Sequence, residues 1–137
     1  MIKPHLWPME KILVLGASPN PVRHSNRTVH NLKTANYIPV PLGVRDGEIA
    51  GVEILKGTPE LKDITGVTLY LNARHQPAYY DYILGLSPKY VIFNPGAENA
   101  EFVKILNEAG IEPIIACNLT LLALDAMPKI HSESHGQ

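Results

Sequence analysis

Two arginines and a serine follow the first apolar run of the chain, and side chains of these types in this order can bind an anion. The run Lys11–Leu15 ends at Gly16, and a segment with helical character begins at Ser25. Arg23 lies just before that segment, and Arg27 lies in its first turn. The first turn of a helix has backbone N–H groups without partners and carries a partial positive charge. We therefore expect these residues to bind a multiply charged anion such as a diphosphate.

The glycine pattern of this loop differs from the common dinucleotide-binding fingerprint, which has the order G-x-G-x-x-G. The loop has one glycine in that stretch, Gly16, and Ser18 stands at the position of the second. Pro19 and Pro21 restrict the backbone, since proline holds φ within a narrow range. The alternative interpretation is an ordinary strand–helix connection in which Ser25 only caps the helix.

Length and composition limit the possible classes of protein. The chain of 137 residues suits one domain with one hydrophobic core. Its net charge of −1 argues against a large basic face and hence against a nucleic-acid partner. No apolar run approaches the roughly 20 residues that span a bilayer, so we expect no membrane partner. The single cysteine, Cys117, cannot form an internal disulfide, which fits a cytoplasmic location. It lies at the end of an apolar run, so we expect a buried, unreactive thiol.

Apolar runs typical of buried strands alternate with segments of helical spacing over most of the chain. We expect strands at residues 11–15, 37–41, 52–55, 67–71, 90–93 and 113–116. We expect helices at residues 25–35, 76–86 and 98–109, a helical turn at 58–62, and either a turn or an extended edge at 119–124. This order predicts an α/β fold with a single Rossmann-like, doubly wound, mainly parallel sheet and helices on both faces.

The chain is expected to have three parts. They are an N-terminal extension, a Rossmann-like domain and a disordered tail, at residues 1–10, 11–127 and 128–137. Two histidines in the tail, His131 and His135, make a poor ligand set, and no metal site is expected.

Ligands of doubly wound sheets bind beyond the carboxyl ends of the strands, where the strand order reverses. In NAD-binding domains an acidic residue at the end of the second strand holds the ribose, but here the first charged residue is Arg45. A cation at this position suits a phosphate on the adenosine ribose, which both coenzyme A and NADP carry. Asp46 follows and could neutralise Arg45 or take the acidic role, and an exposed hairpin without a ligand is a further alternative.

The first loop has the pattern Gly16-x-Ser18-x-x-Pro21-x-Arg23-x-Ser25. This pattern resembles the first loop of the small stand-alone CoA-binding-domain proteins, which are similar to the N-terminal CoA-binding domain of the succinyl-CoA synthetase α subunit. The similarity extends from about residue 11 to residue 117, at Ile38-Pro39-Val40, Gly51, Asn94-Pro95-Gly96 and Cys117.

The resemblance implies a Rossmann-like fold that binds coenzyme A or an acyl-CoA, with NADP as the alternative cofactor. It implies that the first loop surrounds the diphosphate, that Arg45 faces the adenosine end, and that segments after the third and fourth main strands border the rest of the ligand. The ligand-binding residues are then Gly16, Ala17, Ser18, Pro21, Arg23, Ser25, Asn26, Val40, Arg45, Asn72, Ala73, Arg74, Pro95 and Gly96.

Two segments depart from the family's pattern. The family usually has Asn-Pro after the second strand, where this chain has Pro41-Leu42. The family tends towards proline and a basic residue after the last cysteine, where this chain has Asn118-Leu119-Thr120. We therefore expect an altered crevice near both segments, with weaker binding or a preference for another nucleotide.

No catalytic constellation is visible, so the predicted function is non-catalytic binding. The alternative is an NADP-dependent reductase or a small acyl-CoA transferase that uses His24 or His75 as an acid or base. A third hypothesis is a domain that has lost its ligand and acts through a surface, with residues 119–127 packed on a neighbour. The aromatic segment at residues 79–82 predicts a homodimer.

Overall fold

A parallel five-stranded sheet lies at the centre of the computed structural model, which describes residues 9–129. In chain order the strands are β1 (Lys11–Leu15), β2 (Ile38–Leu42), β3 (Glu48–Ile49), β4 (Val52–Glu53), β5 (Ile64–Leu69), β6 (Tyr90–Phe93) and β7 (Glu112–Ile115). Strands β3 and β4 form an antiparallel hairpin, and the other five form the sheet in the order β2-β1-β5-β6-β7. The predicted Rossmann-like α/β fold is confirmed.

Within the described residues, four α-helices cover the sheet: α1 (His24–Thr34), α2 (Tyr80–Leu86), α3 (Ala100–Glu108) and α4 (Asn118–Ala123). Two short 3₁₀ turns, Ala73–His75 and Pro77–Tyr79, precede α2. None of the helices within residues 9–129 is long and apolar enough to cross a membrane.

The sheet separates two hydrophobic clusters because successive side chains of a strand point to opposite faces. Leu13 and Leu15 lie in the cluster that contains Ile83 of α2 and Phe102 of α3. The neighbouring strand residues Ile12 and Val14 lie in the other cluster, which contains buried side chains of α1 and packs against α4. Burial on both faces explains why β1 and β6 are almost continuous apolar runs.

Several expected elements differ from the structure, and the strand expected at 67–71 lies at Ile64–Leu69 as β5. Residues 58–62 form no helical turn, and tertiary contacts hold them instead: Tyr82 donates to the Pro59 carbonyl at 2.6 Å and Leu61 packs on the core. The helix expected at 76–86 begins as a 3₁₀ turn, and α2 starts only at Tyr80. Residues 119–124, for which we expected either a helical turn or an extended edge, lie mostly in a helix, α4.

The segment at residues 119–127 belongs to the core of its own chain. Met127 is 3% exposed and lies in the cluster with Val29 and Leu32 of α1, and Leu121 packs against the same cluster. The burial of Met127 and the packing of Leu121 therefore need no neighbouring chain, and the packing of this segment on a neighbour stays a hypothesis. Residues 1–8 and 130–137, which include most of the expected extension and tail, lie outside the described residues.

The aromatic segment also makes contacts within the chain. The ring of Tyr80 stacks on Phe102 with centroids 4.4 Å apart, and Tyr82 donates to the Pro59 carbonyl. These rings therefore do not by themselves require a partner subunit.

Candidate functional site

The strand order reverses between β1 and β5, because the chain first adds β2 on one side of β1 and then returns to place β5 on the other. A cavity of about 460 Å³ opens there, within the usual size range of small-molecule sites. It is lined by Leu15, Gly16, Ala17, Ser18, Asn20, Arg23, His24, Ser25, Leu42, Gly43, Val44, Arg45, Tyr70, Leu71 and Tyr79.

The floor of the cavity is a close junction between the loops after β1 and β2. The backbone N–H groups of Gly16 and Ala17 both donate to the Leu42 carbonyl, at 2.9 and 3.0 Å. A Cβ atom at position 43 would overlap the Ala17 carbonyl oxygen, so only glycine lets the two loops approach this closely. The amides of Gly16 and Ala17 are used in this junction, and donors for a ligand must come from elsewhere.

Polar side chains of the β1–α1 loop hold its own backbone. Ser18 accepts from the Asn20 N–H, and the Asn20 side chain accepts from the Val22 N–H, both at 3.1 Å. The buried Asn26 side chain donates to the Ser18 carbonyl at 2.9 Å. The loop is thus ordered by its own sequence before any ligand arrives.

Helix α1 begins without a capping side chain. Its N-cap residue is Arg23, no side chain accepts from the first turn, and that turn contains no acidic residue. The N–H groups of Asn26 and Arg27 donate to the Arg23 carbonyl, whereas those of His24 and Ser25 find no acceptor within residues 9–129. Ser25 is buried inside the first turn, so the interpretation of Ser25 as the helix cap is wrong. Both residues with free amides line the cavity.

The cavity is positively charged, since it is lined by Arg23 and Arg45 and by no Asp or Glu. In the part of the chain that the structure describes, neither arginine forms an ion pair. Asp46, which could have neutralised Arg45, forms an ion pair with Lys56. The arrangement of free amides and unpaired guanidinium groups can hold a multiply charged anion.

Tyr70 forms the wall at the end of β5. Its hydroxyl group is hydrogen-bonded to the hydroxyl group of Thr28 on α1, which ties this wall to the helix. Burial raises the pKa of Tyr70 to about 12, although the Thr28 hydrogen bond opposes the shift. Tyr70 is therefore a neutral hydroxyl group near pH 7.

Cys117 is partly exposed, so the expectation of a buried thiol is wrong. Burial alone would raise the pKa of the thiol, but hydrogen bonds from Thr120 and from the Leu119 N–H outweigh it and lower the pKa. Cys117 does not line the cavity.

Six of the residues expected to bind the ligand line the cavity: Gly16, Ala17, Ser18, Arg23, Ser25 and Arg45. His24 lines it as well, whereas His75 is exposed and does not. The other expected residues lie outside its lining: Pro21, Asn26, Val40, Asn72, Ala73, Arg74, Pro95 and Gly96.

Several of these outlying residues have structural contacts instead. Asn72 accepts from the Arg74 N–H and so caps a 3₁₀ turn, and Val40 packs against the core. Asn94, next to Pro95, is buried and donates to Thr68 at 2.7 Å while it accepts from the Asn118 N–H at 2.8 Å.

Sequence reasoning did not name eight of the residues that line the cavity. They are Leu15, Asn20, Leu42, Gly43, Val44, Tyr70, Leu71 and Tyr79. The position of Gly43 directly after β2 was a usable signal, whereas Tyr79 reaches the cavity only through the path of the chain after β5.

The fold and the site together define a Rossmann-like domain whose crevice lies at the reversal of strand order. The family model described as "CoA binding domain" matches residues 10–123, and the chain belongs to this family. Membership supports the binding of CoA in general. A comparison with curated proteins finds no significant match.

Solved structures share this fold. A protein titled only as uncharacterized is 42% identical, with a TM-score of 0.85 over 88% of this chain and 99% of the other. A Thermus thermophilus protein is 24% identical, with a TM-score of 0.76 over 87% of this chain and 91% of the other. The dinucleotide-forming acetyl-coenzyme A synthetase 1 of Ca. Korarchaeum cryptofilum, in complex with phosphate and ADP, is 16% identical. Its TM-score is 0.65 over 82% of this chain and 26% of the other. The similarity to the last two proteins shows a shared fold only.

Proposed function

We propose that this protein binds coenzyme A or an acyl-CoA without catalysing a reaction on it, through the loop between β1 and α1. One observation carries the proposal: His24 and Ser25, whose amides have no acceptor within residues 9–129, line a cavity together with Arg23 and Arg45, and no acidic side chain lines it. Two amide donors at a helix N-terminus and a guanidinium group match the oxygens of a diphosphate. Membership in the CoA binding domain family supports coenzyme A as the source of that diphosphate.

The β2 side of the cavity suits the adenosine end of the ligand. Val44 and Arg45 follow β2, where doubly wound domains hold the adenosine ribose. Arg45 has no acidic partner within residues 9–129, which leaves its guanidinium group free for the 3′-phosphate. NADP, whose extra phosphate is on the 2′ position, is the alternative ligand on this side.

The side chains of the cavity support a non-catalytic role. In the described part of the chain, neither His24 nor His75 is hydrogen-bonded or ion-paired to a carboxylate that would orient it as an acid or base. Because His24 lines the cavity, a reductase or an acyl-CoA transferase is the alternative. Turnover of an acyl-CoA that disappears in the variant His24→Ala would favour that alternative.

Isothermal titration of the full chain with coenzyme A and with its 3′-dephospho form tests the proposal. We expect Arg23→Gln to weaken both ligands about tenfold, because a charge-assisted hydrogen bond to the diphosphate is lost. We expect Arg45→Gln to weaken coenzyme A and to leave the dephospho form nearly unchanged. Lys104→Gln on α3 removes the same charge outside the cavity and serves as the control. Negligible heats for both ligands with the wild-type chain would refute the proposal.

We further propose that the domain spans residues 11–127, which the burial of Met127 supports. The cytoplasmic location and the homodimer stay predictions; sedimentation or light scattering of the purified chain measures the second directly.

A further inference from the structure

Gln76 is a buried amide between the two 3₁₀ turns that follow β5. It is 1% exposed, and all of its side-chain groups have partners. Its Nε2 group donates to the Leu71 carbonyl at 2.9 Å and to the Ala97 carbonyl at 2.7 Å. Its Oε1 atom accepts from Nδ2 of Asn99 at 2.9 Å. A glutamine amide has two N–H donors, so both donors are used here.

These bonds join the loops that follow the paired strands β5 and β6. Leu71 follows β5, and Ala97 lies between β6 and α3, so Gln76 bridges the segments beyond two neighbouring strands. Asn99 extends the bridge into α3, because its Oδ1 atom accepts from the Phe102 N–H at 3.1 Å as the helix cap. Buried polar groups that are fully paired in this way hold a single arrangement of the backbone.

The bridge supports one wall of the candidate site. Leu71, whose carbonyl Gln76 binds, lines the cavity. Tyr79 lines it as well, and its backbone N–H donates to the Gln76 carbonyl at 2.8 Å. Gln76 itself does not line the cavity, so it acts on a ligand only through these two residues.

On the proposed function, this wall lies on the side of the cavity opposite to the nucleotide half of the ligand. In doubly wound sheets a ligand crosses the reversal of strand order, with its adenosine half on the β2 side. Val44 and Arg45 form that side, and Leu71 and Tyr79 form the β5 side. An apolar and an aromatic side chain suit an uncharged, partly apolar arm better than they suit a phosphate.

We infer that Gln76 is a positioning residue that sets the β5-side wall of the cavity, against which the pantetheine arm of the ligand lies. This inference rests on the proposed function. Its consequence is selective: loss of the Gln76 bridge weakens the binding of the arm and leaves the binding of the nucleotide half unchanged.

The test compares two ligands by isothermal titration: coenzyme A, and adenosine 3′-phosphate 5′-diphosphate, which is its nucleotide half. We expect Gln76→Leu to weaken coenzyme A about tenfold, because the Leu71 and Ala97 carbonyls lose their donor and the wall loosens. The affinity for the nucleotide half should change less than about twofold, which is below the effect of one hydrogen bond.

A second variant covers the case in which Gln76→Leu does not fold. Asn99→Ser keeps a capping oxygen for α3 but removes the donor to Gln76 Oε1 and to the Tyr80 hydroxyl, and it should weaken coenzyme A selectively by a smaller factor. Tyr82→Phe is the matched control, since it removes one hydrogen bond from α2, to Pro59, and touches none of the Gln76 partners.

The outcomes separate this inference from the proposed function. If the wild-type chain binds coenzyme A no more tightly than the nucleotide half, the inference is overturned. If the wild-type chain binds neither ligand, both proposals are overturned. Equal weakening of the two ligands in Gln76→Leu and Asn99→Ser, or no weakening in either variant, leaves the proposed function standing and overturns the inference.

Discussion

At the residue scale, Gly16 has a conformation and a position that no other residue type can share. Its φ is +95°, in the region that residues with a Cβ rarely adopt. A Cβ atom there would lie 2.8 Å from both the carbonyl carbon and the carbonyl oxygen of Tyr70. These are backbone atoms at the end of a central strand, so they cannot move aside as a flexible side chain would.

Gly16→Ala should therefore lower the free energy of unfolding by about 2–4 kcal/mol and weaken coenzyme A binding. Gly57→Ala is the control, because Gly57 also has a positive φ, +76°, but has no atom within 4 Å of the added Cβ. The control measures the effect of backbone strain alone, which should lower the free energy of unfolding by about 1–2 kcal/mol. Denaturant unfolding measures both variants, and equal losses would contradict the argument from close approach.

Tyr70 should make stability depend on pH in the alkaline range. Burial raises its pKa from the ordinary 10.0 to about 12 in the folded chain, so the folded state binds the phenolic proton more tightly than the unfolded state. The contribution of Tyr70 to the free energy of unfolding is therefore fully present below pH 10.0 and is lost as the pH rises towards 12. We expect a loss of about 2 kcal/mol from Tyr70 over this range.

The variant Tyr70→Phe should show a smaller fall in the free energy of unfolding between pH 9 and pH 11.5, measured with denaturant at constant ionic strength. Burial also raises the pKa of Tyr37 to about 12, so Tyr37 adds a second loss of stability to the wild-type chain at alkaline pH. The variant Tyr37→Phe therefore serves as the comparison. An unchanged pH dependence in Tyr70→Phe would contradict the proposed burial of the phenol.

At the element scale, the C-terminal segment completes the α1 face of the sheet. After α4 the chain turns back, with the Ala126 N–H donating to the Leu121 carbonyl at 2.7 Å. This turn inserts Met127 between α1 and the sheet side chains, where Asn118 donates to its sulfur atom at 3.5 Å. The six residues of α4 would be marginal alone, so packing on α1 stabilises them.

Met127→Ala should consequently destabilise the chain by about 2–4 kcal/mol through lost burial and an unfilled cavity. Leu124 lies three residues away and is 70% exposed, so Leu124→Ala should change stability by less than about 0.5 kcal/mol. Thermal or denaturant unfolding distinguishes the two variants. Similar small effects for both would mean that the segment does not belong to the core.

At the scale of the whole molecule, the sheet brings three separate loops to one place. The loops after β1, β2 and β5 meet because these strands are neighbours and run in the same direction. At their junction the amides of His24 and Ser25 and the guanidinium groups of Arg23 and Arg45 have no protein partner in the described part of the chain, and no acidic side chain lines the cavity. A diphosphate would supply the charge that this arrangement lacks.

Much of this architecture could be predicted from local patterns. The expected bounds of β1 and β6 agree with the structure because both are short, continuous apolar runs beside clear turn residues. The position of Arg23 and Ser25 at the cavity also followed from local order, since a strand, a glycine and a helix start succeed one another within a few residues.

The remaining site residues depend on contacts between segments that are far apart in the chain. Gly43 meets Ala17 because β1 and β2 pair, and Tyr79 reaches the cavity on a segment that Gln76 joins to Ala97. The sequence by itself determined the strand–loop–helix unit and the fold class, since apolar periodicity is a local property. Tertiary structure alone decided which side chains surround the crevice, because non-local pairing leaves no periodic trace along the chain.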